Sequence, residues 1–264
     1  MKFEPILIEK PWGRTSLPEG FADCAGRKIG EISFGAAGDG GYPLLAKYIF
    51  TSERLSVQVH PRDADARSRG LPHGKCEAWF VVAAEAGAQL GLGLKKSMND
   101  DELRSAALDG SIEELLDWRP VKAGDFFYVP AGTIHAIGAG ISLIEIQQNI
   151  DVTYRLYDYG RPRELHLDDA VAVASAVPYE DRPGPEGHLL LNGPVFSLAR
   201  VRSAEGDVDL FRGHDRWVLP IAGAARCGSS EAGVGECLFA PVGETLSAAP
   251  GTDMLVAAAG MRSE

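Results

Sequence analysis

Residues 124–135 read Gly-Asp-Phe-Phe-Tyr-Val-Pro-Ala-Gly-Thr-Ile-His, and this stretch decides the fold. Phe126–Val129 is a short aromatic run ending in a β-branched residue, the composition of a strand. Pro130-Ala131-Gly132 then interrupts it. Proline fixes φ and removes an N–H, and glycine admits the positive φ of a tight turn. The chain resumes as a second strand that opens on His135. A histidine so placed is held firmly at the mouth of a barrel. A lone histidine after an ordinary hairpin is more often a satisfied core side chain, and it is the complete phrase that favours a metal ligand.

The same grammar recurs on both sides. Short apolar runs at Leu44–Phe50, Leu55–Val59, Ala78–Ala83, Ser142–Ile146 and Leu189–Leu191 alternate with glycine and proline, and Leu198–Val201 and the runs near Trp217 and Leu255 continue the pattern. Many short strands with turn signals predict a mainly β sandwich or barrel. Ser97–Trp118 departs from it as a predicted helical insert (97–118). Asn99 and Asp100 open a first helix, Gly110 closes it, and Ser111-Ile-Glu-Glu114 has the form of a capping box for a second. Asp168–Ala176 is a further short helix. The Pro178–Pro185 segment, rich in proline, glycine and charge, predicts a boundary between residues 1–177 and a smaller β-rich unit at 178–264.

Composition narrows the function. The chain has 264 residues and a net charge of −11, so it lacks the basic footprint that nucleic acid requires. A small anionic ester remains possible if local basic residues offset the overall field. No apolar run is long enough to span a membrane. The opening MKFEPILIEKPWG lacks the apolar core of a secretory leader, and the expected address is the cytoplasm. Cys24, Cys76, Cys227 and Cys237 form no metal-binding spacing and read as reduced thiols.

A metal at His135 needs further ligands. In Ser56-Val-Gln-Val-His60, Gln58 and His60 are two apart on a strand and project from one face. Taken alone this is also the pattern of a polar strand edge. Glu77 begins the apolar run Ala78–Ala83, where a carboxylate is costly unless paired or bound to metal; a surface ion pair with Lys75 is the plainer alternative. Together Gln58, His60, Glu77 and His135 make a nitrogen/oxygen set suited to one divalent metal ion, zinc first, with manganese or iron as competitors.

The phrase from Gly124 to His135 resembles the second motif of the cupin superfamily, although Ala139 stands where that motif carries asparagine. Ser56–Pro61, Gly74-Lys-Cys-Glu77, Lys10-Pro-Trp-Gly13 and Ile144–Tyr159 together resemble type I mannose-6-phosphate isomerases of the short bacterial branch, over about residues 5–170. Gly30-Glu31-Ile-Ser-Phe34 lacks the Trp-Glu that many such proteins carry at that point. The resemblance implies a cupin (jelly-roll β-barrel) fold with a second, smaller C-terminal β domain. It implies interconversion of mannose 6-phosphate and fructose 6-phosphate through a cis-enediol by a monomer or small homo-oligomer. It further implies Gln58, His60, Glu77 and His135 as metal ligands, Arg155, Lys75 and Asp151 as catalytic residues, and Lys47 and Ser56 as substrate-binding residues; Arg161 is a further basic candidate. The alternatives are a cupin acting on another sugar phosphate, a metal-dependent dioxygenase, and a non-catalytic sugar-phosphate binder. Gln58 in place of a first histidine disfavours the dioxygenase.

Overall fold

The structure, a computed structural model, describes residues 1–21, 23–35, 41–181 and 187–260, with the backbone alone at 203–207. It is mainly β. The chain runs β1 (Pro5–Arg14), β2 (Ile29–Phe34), β3 (Leu44–Phe50), β4 (Val57–Val59), α1 (Asp63–Ser68), β5 (Glu77–Ala84) and β6 (Gln89–Leu94). Helices α2 (Asp100–Asp109) and α3 (Ile112–Leu115) precede β7 (Leu116–Pro120), β8 (Phe126–Val129), β9 (His135–Ile137), β10 (Ile141–Gln148), β11 (Tyr154–Tyr157) and α4 (Leu167–Val173). The last part holds β12 (Leu189–Asn192), β13 (Phe196–Asp207), β14 (Arg216–Ala222), β15 (Ala225–Cys227), β16 (Ser230–Ala232), β17 (Leu238–Ala240) and β18 (Leu246–Ala259).

A six-stranded sheet of order β1-β2-β3-β10-β5-β8 faces a five-stranded sheet of order β11-β4-β9-β6-β7. They meet through Trp12, Ile49, Trp79, Val81 and Leu143 on one side and Leu90, Leu92 and Ile137 on the other. The outer face of the six-stranded sheet is also covered. Phe34, Tyr48, Phe80 and Ile144 pack against Phe196, Trp217 and Leu219 of the third, C-terminal sheet. Strand alternation sends Leu44, Ala46, Tyr48 and Phe50 outward into that shared core and Leu45, Lys47 and Ile49 inward. Burial on both faces explains why these strands carry apolar residues at both alternating sets of positions, interrupted mainly by the polar groups that face the cavity, such as Glu31, Lys47 and Glu145. Each fully buried large side chain stabilises by about 1.5–3 kcal/mol.

Helices α2 and α4 cover the outer face of the five-stranded sheet through Leu103, Ala106, Ala170 and Val173. The Asn99 side chain accepts the Glu102 N–H at 3.0 Å, the Glu102 carboxylate accepts the Asn99 N–H at 2.9 Å, and Gly110 ends the helix at φ 82°. The predicted second capping box does not form. Ser111 is already helical (φ −63°, ψ −15°) and makes no side-chain cap, because a cap of this kind needs extended backbone there. The helical insert also ends earlier than expected, since residues 116–118 are the start of β7. Of the Pro178–Pro185 segment, residues 182–185 lie outside the described residues. Among the described residues no helix is long and apolar enough to cross a membrane.

Candidate metal centre and cavity

Three elements converge at one end of the sandwich. Strand β4 carries Gln58 and delivers His60 just past its end, β5 begins on Glu77, and β9 begins on His135. Cross-strand register sets Gln58 directly opposite His135. The β8–β9 turn is held against β4: Gly132 sits at φ 90° and its N–H donates to the His60 carbonyl at 2.8 Å. That positive φ favours glycine, and a Cβ there would also have to displace the Arg62 guanidinium, 2.4 Å away.

The ligand atoms of His60, Glu77 and His135 lie within 4.8 Å of one another, and all three residues are buried. His60 Nε2 is 3.1 Å from Glu77 Oε1, and His135 Nε2 is 3.8 Å from Glu77 Oε2. His135 Nδ1–H donates to the Thr133 carbonyl at 2.9 Å, which fixes the tautomer and leaves the Nε2 lone pair toward the cluster. Ser56 Oγ donates to Gln58 Oε1 at 3.1 Å, and Gln58 Nε2 stands 3.3 Å from His135 Nε2. A half-turn of that amide presents its oxygen to the cluster and its nitrogen to Ser56.

The cluster fits a divalent cation. His60 Nδ1 and Glu77 Oε2 are buried without a hydrogen bond, which is costly unless another partner satisfies them. Burial, then the Lys75 ammonium, pushes His60 down to about 3, so its imidazole is neutral and able to ligate. Burial lowers His135 as well. At Glu77 burial alone would raise the carboxyl, but Lys75, 2.9 Å away, holds it well below its ordinary value. The Lys75–Glu77 pair therefore exists, but buried rather than at the surface.

The cluster meets, through Glu77, a cavity of about 660 Å³ whose walls also include Lys47, Ser56, Gln58, Lys75, Asp151 and Arg155. Burial and then the neighbouring Arg163 lower Arg155, whose Nε is buried without a hydrogen bond and which makes no ion pair among the described residues. Arg161 is not part of this wall. It is engaged with Glu53 at 3.1 Å and Asp158 at 3.2 Å and stacks on Tyr159, while Arg163, from the same irregular segment after β11, reaches the cavity.

The wall also contains Lys10, Trp12, Glu31, Glu145, Arg163 and His166, none of which the sequence had assigned to the site. Glu31 and Glu145 sit inside apolar strands, the signal that had marked Glu77. Trp79 Nε1–H donates to Glu145 Oε2 at 3.0 Å, and the Trp79 ring meets His135 edge-on at 5.3 Å. Burial first, and then the charge of Glu77, push Glu145 up to about 7 against the opposing Lys47.

No family model matches the chain. A mannose-6-phosphate isomerase of Streptococcus mutans is 40% identical over 178 residues, 62% of this chain and 56% of that protein. A Bacillus subtilis protein named a probable mannose-6-phosphate isomerase, GmuF, is 33% identical over 219 residues, 68% of this chain and 69% of its own length. The match to the Streptococcus mutans relative thus spans little more than half of that protein. The crystal structure of the mannose 6-phosphate isomerase from Bacillus subtilis superposes with a TM-score of 0.82 over 97% of this chain and 98% of that one, at 26% identity. The fold, the buried His60–Glu77–His135 cluster and these relatives agree: the chain belongs to the mannose-6-phosphate isomerase family.

Proposed function

We propose that this chain is a metal-dependent aldose–ketose isomerase that interconverts mannose 6-phosphate and fructose 6-phosphate in the cytoplasm. The observation that carries the reading is the cavity that joins the His60–Glu77–His135 cluster to the basic side chains Lys47, Lys75 and Arg155 in an otherwise acidic chain. His60, Glu77 and His135, with Gln58, would hold one divalent ion, zinc first among nitrogen- and oxygen-preferring metals. When bound, that ion supplies Lewis-acid polarisation of a carbonyl or hydroxyl oxygen.

The chain's own residues account for the remaining chemistry. The reaction takes a proton from C2 of the open-chain aldose and places one on O1, giving a cis-enediol. It then takes the O2 proton and places one on C1. Asp151, Lys75 and Glu145 are the cavity groups proposed to move these protons, and a carboxyl near 7 can both accept and return one at neutral pH. Arg155, without an ion-pair partner among the described residues, has its donor fork free for the enediolate or the phosphate. Lys47 and Ser56 are assigned to substrate hydroxyl or phosphate oxygens. The described residues of 178–264 contribute no side chain to the cavity wall, and we assign their sheet to covering the outer face of the six-stranded one.

The test is conversion of mannose 6-phosphate by purified protein before chelation, after chelation and after zinc is restored. Activity lost with chelator and regained with zinc is expected. A folded, zinc-loaded protein that turns over no mannose 6-phosphate would overturn the reading and favour another sugar phosphate.

A further inference from the structure

Lys47 occupies an unusual position in the cavity wall. Its Nζ lies between two carboxylates, 3.5 Å from Glu31 Oε2 and 3.7 Å from Glu145 Oε1. Neither is the distance of a direct charge-assisted hydrogen bond, about 2.7–2.9 Å. Each carboxylate has its other oxygen engaged: Lys10 stands 2.9 Å from Glu31 Oε1, and the Trp79 indole donates to Glu145 Oε2 at 3.0 Å. Adjacent strands build this row. Lys10 is on β1, Glu31 on β2, Lys47 on β3 and Glu145 on β10, with Lys47 directly opposite Glu145 and Glu145 directly opposite Trp79. The Lys47 side chain is only 15% exposed, so water does not screen these contacts as it would at the surface.

We propose that Lys10 is a positioning residue: by engaging Glu31 it keeps the Lys47 ammonium from closing onto that carboxylate, leaving Lys47 available to an anionic oxygen of the substrate. The physical reason is competition for one acceptor. Two ammonium groups share the single charge of Glu31, and the tighter contact belongs to Lys10. Without Lys10, Lys47 gains the whole charge and draws in to a direct ion pair. A substrate oxygen must then break that pair in a site where charge interactions are strong. Since Lys47 is assigned to substrate binding, the loss falls on KM more than on kcat. The kinetic part rests on the sugar-phosphate isomerase reading; the geometric part does not.

The test compares the parent, Lys10→Met, Glu31→Gln and the double variant, all zinc-loaded, by crystal structure and by kinetics with mannose 6-phosphate. In Lys10→Met the Lys47–Glu31 separation is expected to shorten to about 2.8 Å and KM to rise about tenfold with little change in kcat. In the Glu31→Gln background the same Lys10 substitution is expected to change KM by less than about twofold, because its target is gone. Equal effects of Lys10→Met in both backgrounds would mean that Lys10 touches substrate directly or is merely structural, and would overturn the proposal. So would a Lys47 that stays where it is in Lys10→Met. If the zinc-loaded parent turned over no mannose 6-phosphate, the functional reading would fail, and the position of Lys47 in the variant would still decide this one.

Discussion

Removing one member of the Lys75–Glu77 pair has an effect that depends on metal in opposite ways for the two residues. The pair is 2.9 Å apart, with side chains 8% and 1% exposed. Breaking a buried pair by deleting one partner costs about 3–5 kcal/mol, because the other charge is left behind uncompensated. In metal-free protein Lys75→Met and Glu77→Gln should therefore each destabilise by about that amount. Zinc separates them. It adds positive charge beside Glu77, replacing the lost ammonium in Lys75→Met and relieving its stranded carboxylate. In Glu77→Gln it meets a stranded Lys75 and one ligand fewer. At about 100 times its dissociation constant a ligand stabilises by about 2.7 kcal/mol, so differences in affinity are readable as shifts in unfolding midpoint. Urea unfolding with chelator and with excess zinc should rank the zinc-induced stabilisation as Lys75→Met, then parent, then Glu77→Gln. Zinc stabilising Glu77→Gln as much as the parent would refute the argument, because the carboxylate would then not be facing the metal. Stability rather than turnover is the right readout, since Lys75 is itself assigned to the chemistry.

Further outcomes follow from the same geometry. Arg155→Ala should keep its metal, measured by elemental analysis, and lose about a hundredfold or more in kcat; near-normal kinetics would remove Arg155 from the mechanism. Metal-free protein should lose stability as pH falls from about 6.5 to about 3, because unfolded His60 takes up a proton that the folded site resists. The depressed folded value means that this contribution is complete above about 6.5 and is lost on the acid side, by at most about 5 kcal/mol, readable in the pH dependence of urea midpoints. Asn99→Ala should cost about 1 kcal/mol through the lost cap of α2, whereas Ser111→Ala, where no cap forms, should change the thermal midpoint little.

The parts of the fold that were readable from sequence are those fixed by neighbours in the chain. Leu44–Phe50 and Phe126–Val129 coincide with β3 and β8, and Asn99 and Gly110 bracket α2 as their chemistry requires. Gln58, His60, Glu77 and His135 could be singled out because each stands in or beside a recognisable local phrase at the end of a short strand or just past it. Lys10, Glu31 and Glu145 could not. Each is a charged residue within a strand, and its meaning depends on the register between strands far apart in sequence, such as Lys47 opposite Glu145. Arg161 and Arg163 differ by two positions in an irregular segment, where the period of a strand no longer predicts facing. At Ser111 the residue types of a capping box were present, but the backbone had already entered the helix.

The order β1-β2-β3-β10-β5-β8 also bears on how the chain is made. Strand β10 lies between β3 and β5, yet it ends at Gln148, 98 residues after the end of β3 at Phe50. During synthesis β3 and β5 leave the ribosome with open edges on either side of a gap, and both strands carry apolar residues on both faces. Their central partner arrives only when residue 148 has emerged. Until then the nascent chain exposes sticky, unpaired strands, the condition that slows folding and invites aggregation. Insertion of β10 is what joins the two halves of the sheet. Because it also brings Glu145 beside Lys47, the sheet and its charged row are completed in the same event.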